Sequence, residues 1–460
     1  MILATGCPDR QVSELDPVQT SVFSKDIPVS ADLDILFVID DSASTRDKQR
    51  AFAENYQNFV ERLESFPTRP NMHIAVVTSS IDVGAGARGG AACHPASATD
   101  GRMQNASRDS SLTCAPTADR FLSDIAGPSG TRLTNYSGTL AEALSCISHV
   151  GESGCGFEAP LEAMKRALDG SRLENDGFLR RGAFLAIVML VDEDDCSADP
   201  RLYLESETGG GPDDFRCTHT AYRCDRTISA SEPGTYADCK VRRDTLLRDP
   251  SDYVTFLNGR QGPAGIAVAL IGGDPTPAIE TGALRLGGNT QSLALMPSCR
   301  ATILGDQAFA RPALRLDDFR KSFGDHGLFS TVCQSDYSEA VDDIGTLLFK
   351  AISPCLEGTL DETDIDEVKP GLQLDCAVTD VQDAYTDTPV EQVIRRCPML
   401  DDERPDVGDG SACWWVKHNP SCDTATQLEL QVERRASPPQ GTVVQVSCAG
   451  FATTPNVPAL

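Results

Sequence analysis

The chain is short of positive charge, of histidine and of the spacings that mark common catalytic sites. It carries 40 Lys and Arg against 68 Asp and Glu, for a formal net charge of −28, and no basic run occurs. That sets nucleic acid aside as a partner, because binding a duplex needs clustered cations to displace its counterions. The six histidines (His73, His94, His149, His219, His326 and His418) form no HExxH pair and no other close metal spacing. His73 reads as a satisfied strand residue and His94 as a neighbour of Cys93. There is no GxxxxGK phosphate loop, no GxGxxG turn and no GxSxG elbow; Gly151-Glu152-Ser153-Gly154 falls short of the last. Nothing therefore marks an enzyme. An EF-hand is missing too, since Asp361-Glu362-Thr363-Asp364-Ile365-Asp366 lacks glycine at its sixth position and reads as a solvated linker. No internal apolar run approaches the ~18–20 residues of a helical membrane span.

What is abundant is cysteine, 17 in all, with no CxxC pair. Irregular spacing from Cys93 to Cys448 fits a disulfide framework made in an oxidising compartment, so the chain is expected to be exported. The odd residue is Cys7. The opening Met-Ile-Leu-Ala-Thr-Gly-Cys resembles the end of a bacterial lipoprotein signal, which implies lipid on Cys7 and a periplasmic or surface lipoprotein. Its apolar part is too short to direct export, so the natural start is expected further upstream. A stray terminal cysteine is the alternative. Setting Cys7 aside leaves an even number, and short loops favour Cys93–Cys114, Cys146–Cys155 and Cys413–Cys422. With 460 residues, 40 % of them hydrophobic, the chain can bury one large core with insertions or two to three units.

Residues 1–30 read as a terminal segment and linker. Four apolar runs then read as strands buried on both faces of a parallel sheet: Leu33–Ile39, Met72–Thr78, Ala183–Val191 and Gly265–Ile271. Helical patterns lie over Asp47–Ser65, near 138–148, over Leu161–Leu168 with Pro160 in the first turn, near 250–258 and over Tyr337–Ile352. The alternation predicts an α/β fold: a doubly wound, mainly parallel sheet flanked by helices over residues 31–356, with disulfide-closed insertions near 80–135 and 197–248. Residues 357–460, with short alternating segments and five cysteines, predict a small disulfide-rich β domain. Trp414 and Trp415 beside Cys413 read as packing around a disulfide rather than a carbohydrate platform.

Both central strands end in acid. Ile39 is followed by Asp40-Asp41-Ser42-Ala43-Ser44, and Val191 by Asp192-Glu193-Asp194-Asp195. Ligands of open α/β sheets collect beyond the carboxyl ends of the strands. Carboxylates and hydroxyls are hard oxygen donors suited to magnesium, manganese or calcium. Two acids meeting there without a basic partner would repel unless a cation joined them. Asp41, Asp194 and Asp195 are expected as solvated loop acids.

Asp40-x-Ser42-x-Ser44 directly after an apolar strand, with a later central strand ending at Asp192, resembles the metal-ion-dependent adhesion site of von Willebrand factor type A domains. The resemblance covers roughly residues 31–356. It implies that Asp40, Ser42, Ser44 and Asp192 hold a divalent cation, magnesium first, with manganese or calcium as alternatives. The family's threonine before a helix has no direct counterpart, and its place falls to Glu158 or to Thr139. Glu158 could instead only cap the helix that comes next. The resemblance implies a non-catalytic, metal-dependent binding or adhesion module with a protein partner at the metal face, touching a membrane only through lipid on Cys7. A scaffold lipoprotein with a purely stabilising metal and an exported hydrolase with an unrecognised site are the alternatives.

Overall fold

Uninterrupted apolar runs become the middle of a sheet. The structure is a computed structural model that describes residues 20–28, 32–66, 69–84, 87, 93, 99–112, 114–204, 213–229, 231–262, 265–285, 291–362, 368–384, 388–408, 410–422, 424–436, 438–439 and 442–451. The chain divides into two units, one over residues 31–349 and one made of the flanking residues on both sides. The first strand, β1 (Thr20–Pro28), belongs to the flanking unit.

The larger unit contains β2 (Asp32–Ile39), β3 (Asn71–Thr78), β4 (Leu122–Ala126), β5 (Arg132–Thr134), β6 (Phe184–Leu190), β7 (Ile266–Gly272) and β8 (Gly327–Thr331). They form one sheet in the order β8-β7-β6-β2-β3-β4-β5. The five strands from β8 to β3 run parallel, and β4 and β5 extend the β3 edge antiparallel. The four expected parallel strands are all present, and every residue of β6 and β7 is buried. Its helices are α1 (Arg46–Ala53), α2 (Tyr56–Glu64), α3 (Leu140–Ser148), α4 (Pro160–Leu168), α5 (Asp213–Ala221), α6 (Pro250–Gln261), α7 (Leu314–Lys321) and α8 (Ser338–Ile352).

Both faces of β2 are covered. Leu36 and Val38 lie among Leu161 and Met164 of α4, Leu257 of α6 and Phe319 of α7. Phe37 faces the other way, against Phe52 of α1 and Tyr56 and Phe59 of α2, with ring centroids 5.8–6.2 Å apart. The single helix expected over Asp47–Ser65 is two helices. Asn55, with φ −100° and ψ 1°, leaves the helical region and its side chain donates to the Ala51 carbonyl at 3.1 Å, which ends the first helix and starts the second.

The insertion near 80–135 is not closed on itself as expected, whereas the one near 197–248 carries an internal bridge, Cys224–Cys239. Cys93 pairs with Cys155 and Cys114 with Cys146, while Cys196–Cys217, Cys224–Cys239 and Cys299–Cys333 complete the unit. Cys93–Cys155 and Cys196–Cys217 tie the two insertions to the loops that carry Glu158 and Asp192, and Cys114–Cys146 ties the first to α3. Ile81, Phe157, Tyr203, Phe215, Tyr236 and Ile279 make a second apolar cluster. This local core holds the insertions against the sheet as a cap.

The flanking unit is built on a six-stranded sheet. In order it contains β1, β13 (Thr442–Phe451), β9 (Cys376–Gln382), β10 (Val390–Arg396), β11 (Cys413–His418) and β12 (Leu428–Glu433). The linker expected over residues 1–30 is therefore a strand over Thr20–Pro28, paired antiparallel with the last strand of the chain. Its pattern is short and half polar, so only its partner reveals it. The sheet is antiparallel except where β10 meets β11 at Arg395 and Arg396. Cys355–Cys422, Cys376–Cys448 and Cys397–Cys413 brace it, so the expected Cys413–Cys422 bridge does not form. Trp414 is buried under the Arg396 guanidinium, and Trp415 donates to Glu433 at 3.2 Å, which is packing as expected.

Phe37→Ala tests the face on which α1 and α2 pack. Removing a buried ring costs about 3–5 kcal/mol, and denaturant unfolding of the larger unit should show a loss of that size. A loss under about 1 kcal/mol would contradict the packing.

Candidate metal centre

Asp40 and Asp192 leave adjacent strands, β2 and β6, where the strand order reverses. From β2 the chain next builds β3 on one side of it, and later β6 on the other. Such a switch point opens a crevice at the carboxyl ends. Glu158 enters the same crevice from the residue before α4 and its N-cap, Ala159. One carboxylate oxygen from each of Asp40, Glu158 and Asp192 lies within 4.8 Å of the others, and all three side chains are buried.

The first loop is held by its own polar groups. Asp40 accepts from the Ser42 amide at 2.8 Å and from the Ser42 hydroxyl at 3.2 Å. Ser79, just past β3, donates at 3.1 Å to Oδ1, the oxygen that also accepts from the Ser42 amide. Thr45 and Gln49 both donate to the Asp40 carbonyl, at 2.9 and 2.8 Å. Ser44 donates to Asp192 Oδ1 at 3.1 Å and lies 3.2 Å from the Ser42 hydroxyl. The motif's two serines thus bridge the two strand-end acids.

Glu158 does not cap α4. The helix has no side-chain cap at its N-cap residue, and the Leu161 amide is taken by Asp195 at 3.2 Å. Instead Glu158 Oε2 is buried with no hydrogen-bond partner. Thr139, the other candidate for that place, is the exposed N-cap of α3 and forms a capping box with Glu142. The loops of Glu158 and Asp192 are fastened together, since the Cys196 amide donates to the Glu158 carbonyl at 2.7 Å.

The acids expected to be solvated are not. Asp41 is buried, accepting from Ser80 at 2.7 Å and paired with Arg108 at 2.9 Å. Asp195 is paired with the fully buried Arg315 at 3.0 Å, and Asp194 accepts from the Arg315 and Leu316 amides at the start of α7. These partners lie far off in sequence, so the acids look unpaired when read locally. Sequence reasoning also missed Lys48. Its ammonium is buried and donates to Asp192 Oδ2 at 2.8 Å and to the Ser44 carbonyl at 2.7 Å. The expected absence of a basic partner is therefore corrected. No local pattern marked Lys48, because it folds back past the N-cap Thr45 to a backbone carbonyl and its carboxylate partner is 144 residues away.

Burial pushes Asp40 up to about 7, relieved by Glu158 and aggravated by the charge of Asp192. Burial likewise holds Glu158 well above the usual carboxylate range, with the Asp40 charge adding to it. Three buried acids and one ammonium leave two negative charges to be balanced, by shared protons or by a divalent ion. The donor set is all oxygen and includes a buried acceptor without a partner, so it fits a hard divalent cation. Asp40, Glu158 and Asp192 would hold such an ion, with Ser42 and Ser44 beside them. Cys7 and His94 lie outside the described residues. Among those described, His73 is satisfied as expected, with Nδ1 2.9 Å from the Phe178 carbonyl oxygen.

No family model matches the chain, and no curated protein matches it. Among solved structures it is similar to a von Willebrand factor type A protein from Catenulispora acidiphila, with 9 % identity, a TM-score of 0.28 and coverage of 95 % of this chain and 66 % of that one. It is also similar to the pilus adhesin SpaC from Lactobacillus rhamnosus GG in its open conformation, with 9 % identity, a TM-score of 0.31 and coverage of 96 % and 42 %. A third is the pilus adhesin RrgA from Streptococcus pneumoniae, with 9 % identity, a TM-score of 0.29 and coverage of 95 % and 58 %. This chain thus spans between about two-fifths and two-thirds of their lengths. TM-scores near 0.3 are too low for these likenesses to bear on the function of this chain.

The raised carboxyls set a pH dependence. In chelator, Asp40 binds its proton more tightly folded than unfolded, so its contribution to stability is full below about pH 4 and is lost as pH rises towards about 7. Asp34 and Asp194, also pushed up to about 7 by burial, act in the same direction. Asp40→Asn should flatten the fall between pH 4 and 7 by up to about 1.4 kcal/mol per pH unit. An unchanged slope in chemical denaturation would show that Asp40 ionises normally.

Proposed function

We propose that the chain is an exported, non-catalytic binding module of adhesion type, built on a doubly wound von Willebrand factor type A-like domain and dependent on a divalent cation. The observation that carries this is the convergence of Asp40, Glu158 and Asp192 at the strand switch point, with one buried carboxylate oxygen unpartnered. Ser42 and Ser44 complete the oxygen set, and magnesium is the first choice, ahead of manganese and calcium. Eight disulfides support export, because they persist in an oxidising compartment. A protein partner would meet the cap and loops around the ion, and lipid on Cys7 would tether the chain to the envelope.

A second reading is favoured by one specific observation. All three carboxylates are at most 2 % exposed, as expected if the ion only stabilises the loops.

Thermal melts in magnesium, manganese, calcium and EDTA, alongside binding to an array of surface proteins and glycans, separate the two. A cation at 100 times its Kd stabilises the folded state by about 2.7 kcal/mol, and the midpoint should rise by several degrees. Asp192→Ala should abolish the rise. Array binding lost in EDTA supports the adhesion reading. Array binding kept in EDTA, with the melt still metal-dependent, supports the stabilising one. No shift in any metal overturns both.

A further inference from the structure

Lys48 has no counterpart among the oxygen donors, and its position gives it a separate role. It is 1 % exposed, so its ammonium cannot reach water and must be compensated where it sits. Two short contacts do this, to Asp192 Oδ2 at 2.8 Å and to the Ser44 carbonyl at 2.7 Å. The other oxygen of Asp192 is taken by Ser44. Lys48 therefore holds one carboxylate that a cation would use, and places a fixed positive charge beside the cation's position. Asp47 lies 3.7 Å from the ammonium, farther off than Asp192 and partly exposed, so it offsets the charge only in part. Asp41 is matched by Arg108, Asp195 by Arg315, and Arg311 pairs with Glu193.

We infer that Lys48 is a built-in competitor of the metal, a positioning residue that lowers the affinity of the centre for cations and holds Asp192 in place when no cation is bound. This rests on the metal-binding reading. In the metal-free protein Lys48 neutralises Asp192; when a cation enters, Asp192 turns part of its charge to the ion, and the two positive charges repel in a site screened from water. The partly exposed Ser44 and exposed Ala43 form the rim through which the ion would pass.

The test is Lys48→Met, which keeps the length of the side chain and removes its charge, with Lys48→Arg as the charge-retaining control. Magnesium and manganese affinities are measured by calorimetry on the full chain, and melts in EDTA report folding. Lys48→Met should bind both ions at least tenfold more tightly than the wild type and melt lower in EDTA, where Asp192 loses its partner. Lys48→Arg should stay near the wild-type affinity. A merely structural role predicts the opposite sign, since a loosened loop binds metal more weakly. If the wild type binds metal and Lys48→Met binds it equally or less tightly, the inference fails and the metal centre stands. If neither binds, the metal centre itself fails. Metal binding by Lys48→Met alone would mean that the lysine takes the cation's place in the natural chain, which upholds the competition and overturns the metal-dependent reading.

Discussion

Buried negative charge at the ends of two neighbouring strands is the constraint that organises the larger unit. Asp40 and Asp192 sit at the carboxyl ends of β2 and β6, which are paired throughout and covered on both faces, so neither acid can turn to bulk water. Glu158 adds a third carboxylate at the same point. Desolvating such a group without a partner costs several kcal/mol. The surrounding loops answer that cost in part, with Ser42, Ser44 and Ser79 donating and one ammonium in contact. The charge left over is what makes a divalent cation the natural complement.

The cap arises from the same requirement. Loops that bury acids need fixing in place, and long insertions would otherwise fray. Cys155 lies three residues before Glu158 and Cys196 four after Asp192, and each is bridged to an insertion. The amide of Cys196 then joins the loop after Asp192 to the Glu158 carbonyl. The second apolar cluster packs around these bridges. Gly154 shows how tight the fit is: its amide donates to the Asp41 carbonyl at 2.6 Å, and a Cβ there would collide with the Asp41 side chain.

The parallel strands and the acids at their ends were legible in the sequence, because long apolar runs and their abrupt polar ends are local signals. The Asp40-x-Ser42-x-Ser44 spacing and the position of Asp192 marked residues that the fold brings together. Glu158 could be named as a candidate, while its choice over Thr139 needed the structure, which shows Thr139 capping its own helix. What the sequence hid depends on distant partners. Asp195 meets Arg315, 120 residues on, and β1 pairs with the last strand. Disulfide pairing was legible only in part: five of the eight bridges join cysteines consecutive in sequence, while Cys93–Cys155, Cys355–Cys422 and Cys376–Cys448 reach past intervening ones. Lys48 was hidden too, because a lysine at the start of a helix ordinarily points to solvent and its partner Asp192 lies 144 residues on.

The most direct test of the metal centre is a crystal soaked in manganese and measured for anomalous scattering. The account predicts one peak among Asp40, Glu158 and Asp192, with carboxylate oxygens at about 2.0–2.3 Å, as suits a hard divalent ion. An empty position at high manganese, with Asp40 and Glu158 instead in a short oxygen–oxygen contact sharing a proton, would contradict it.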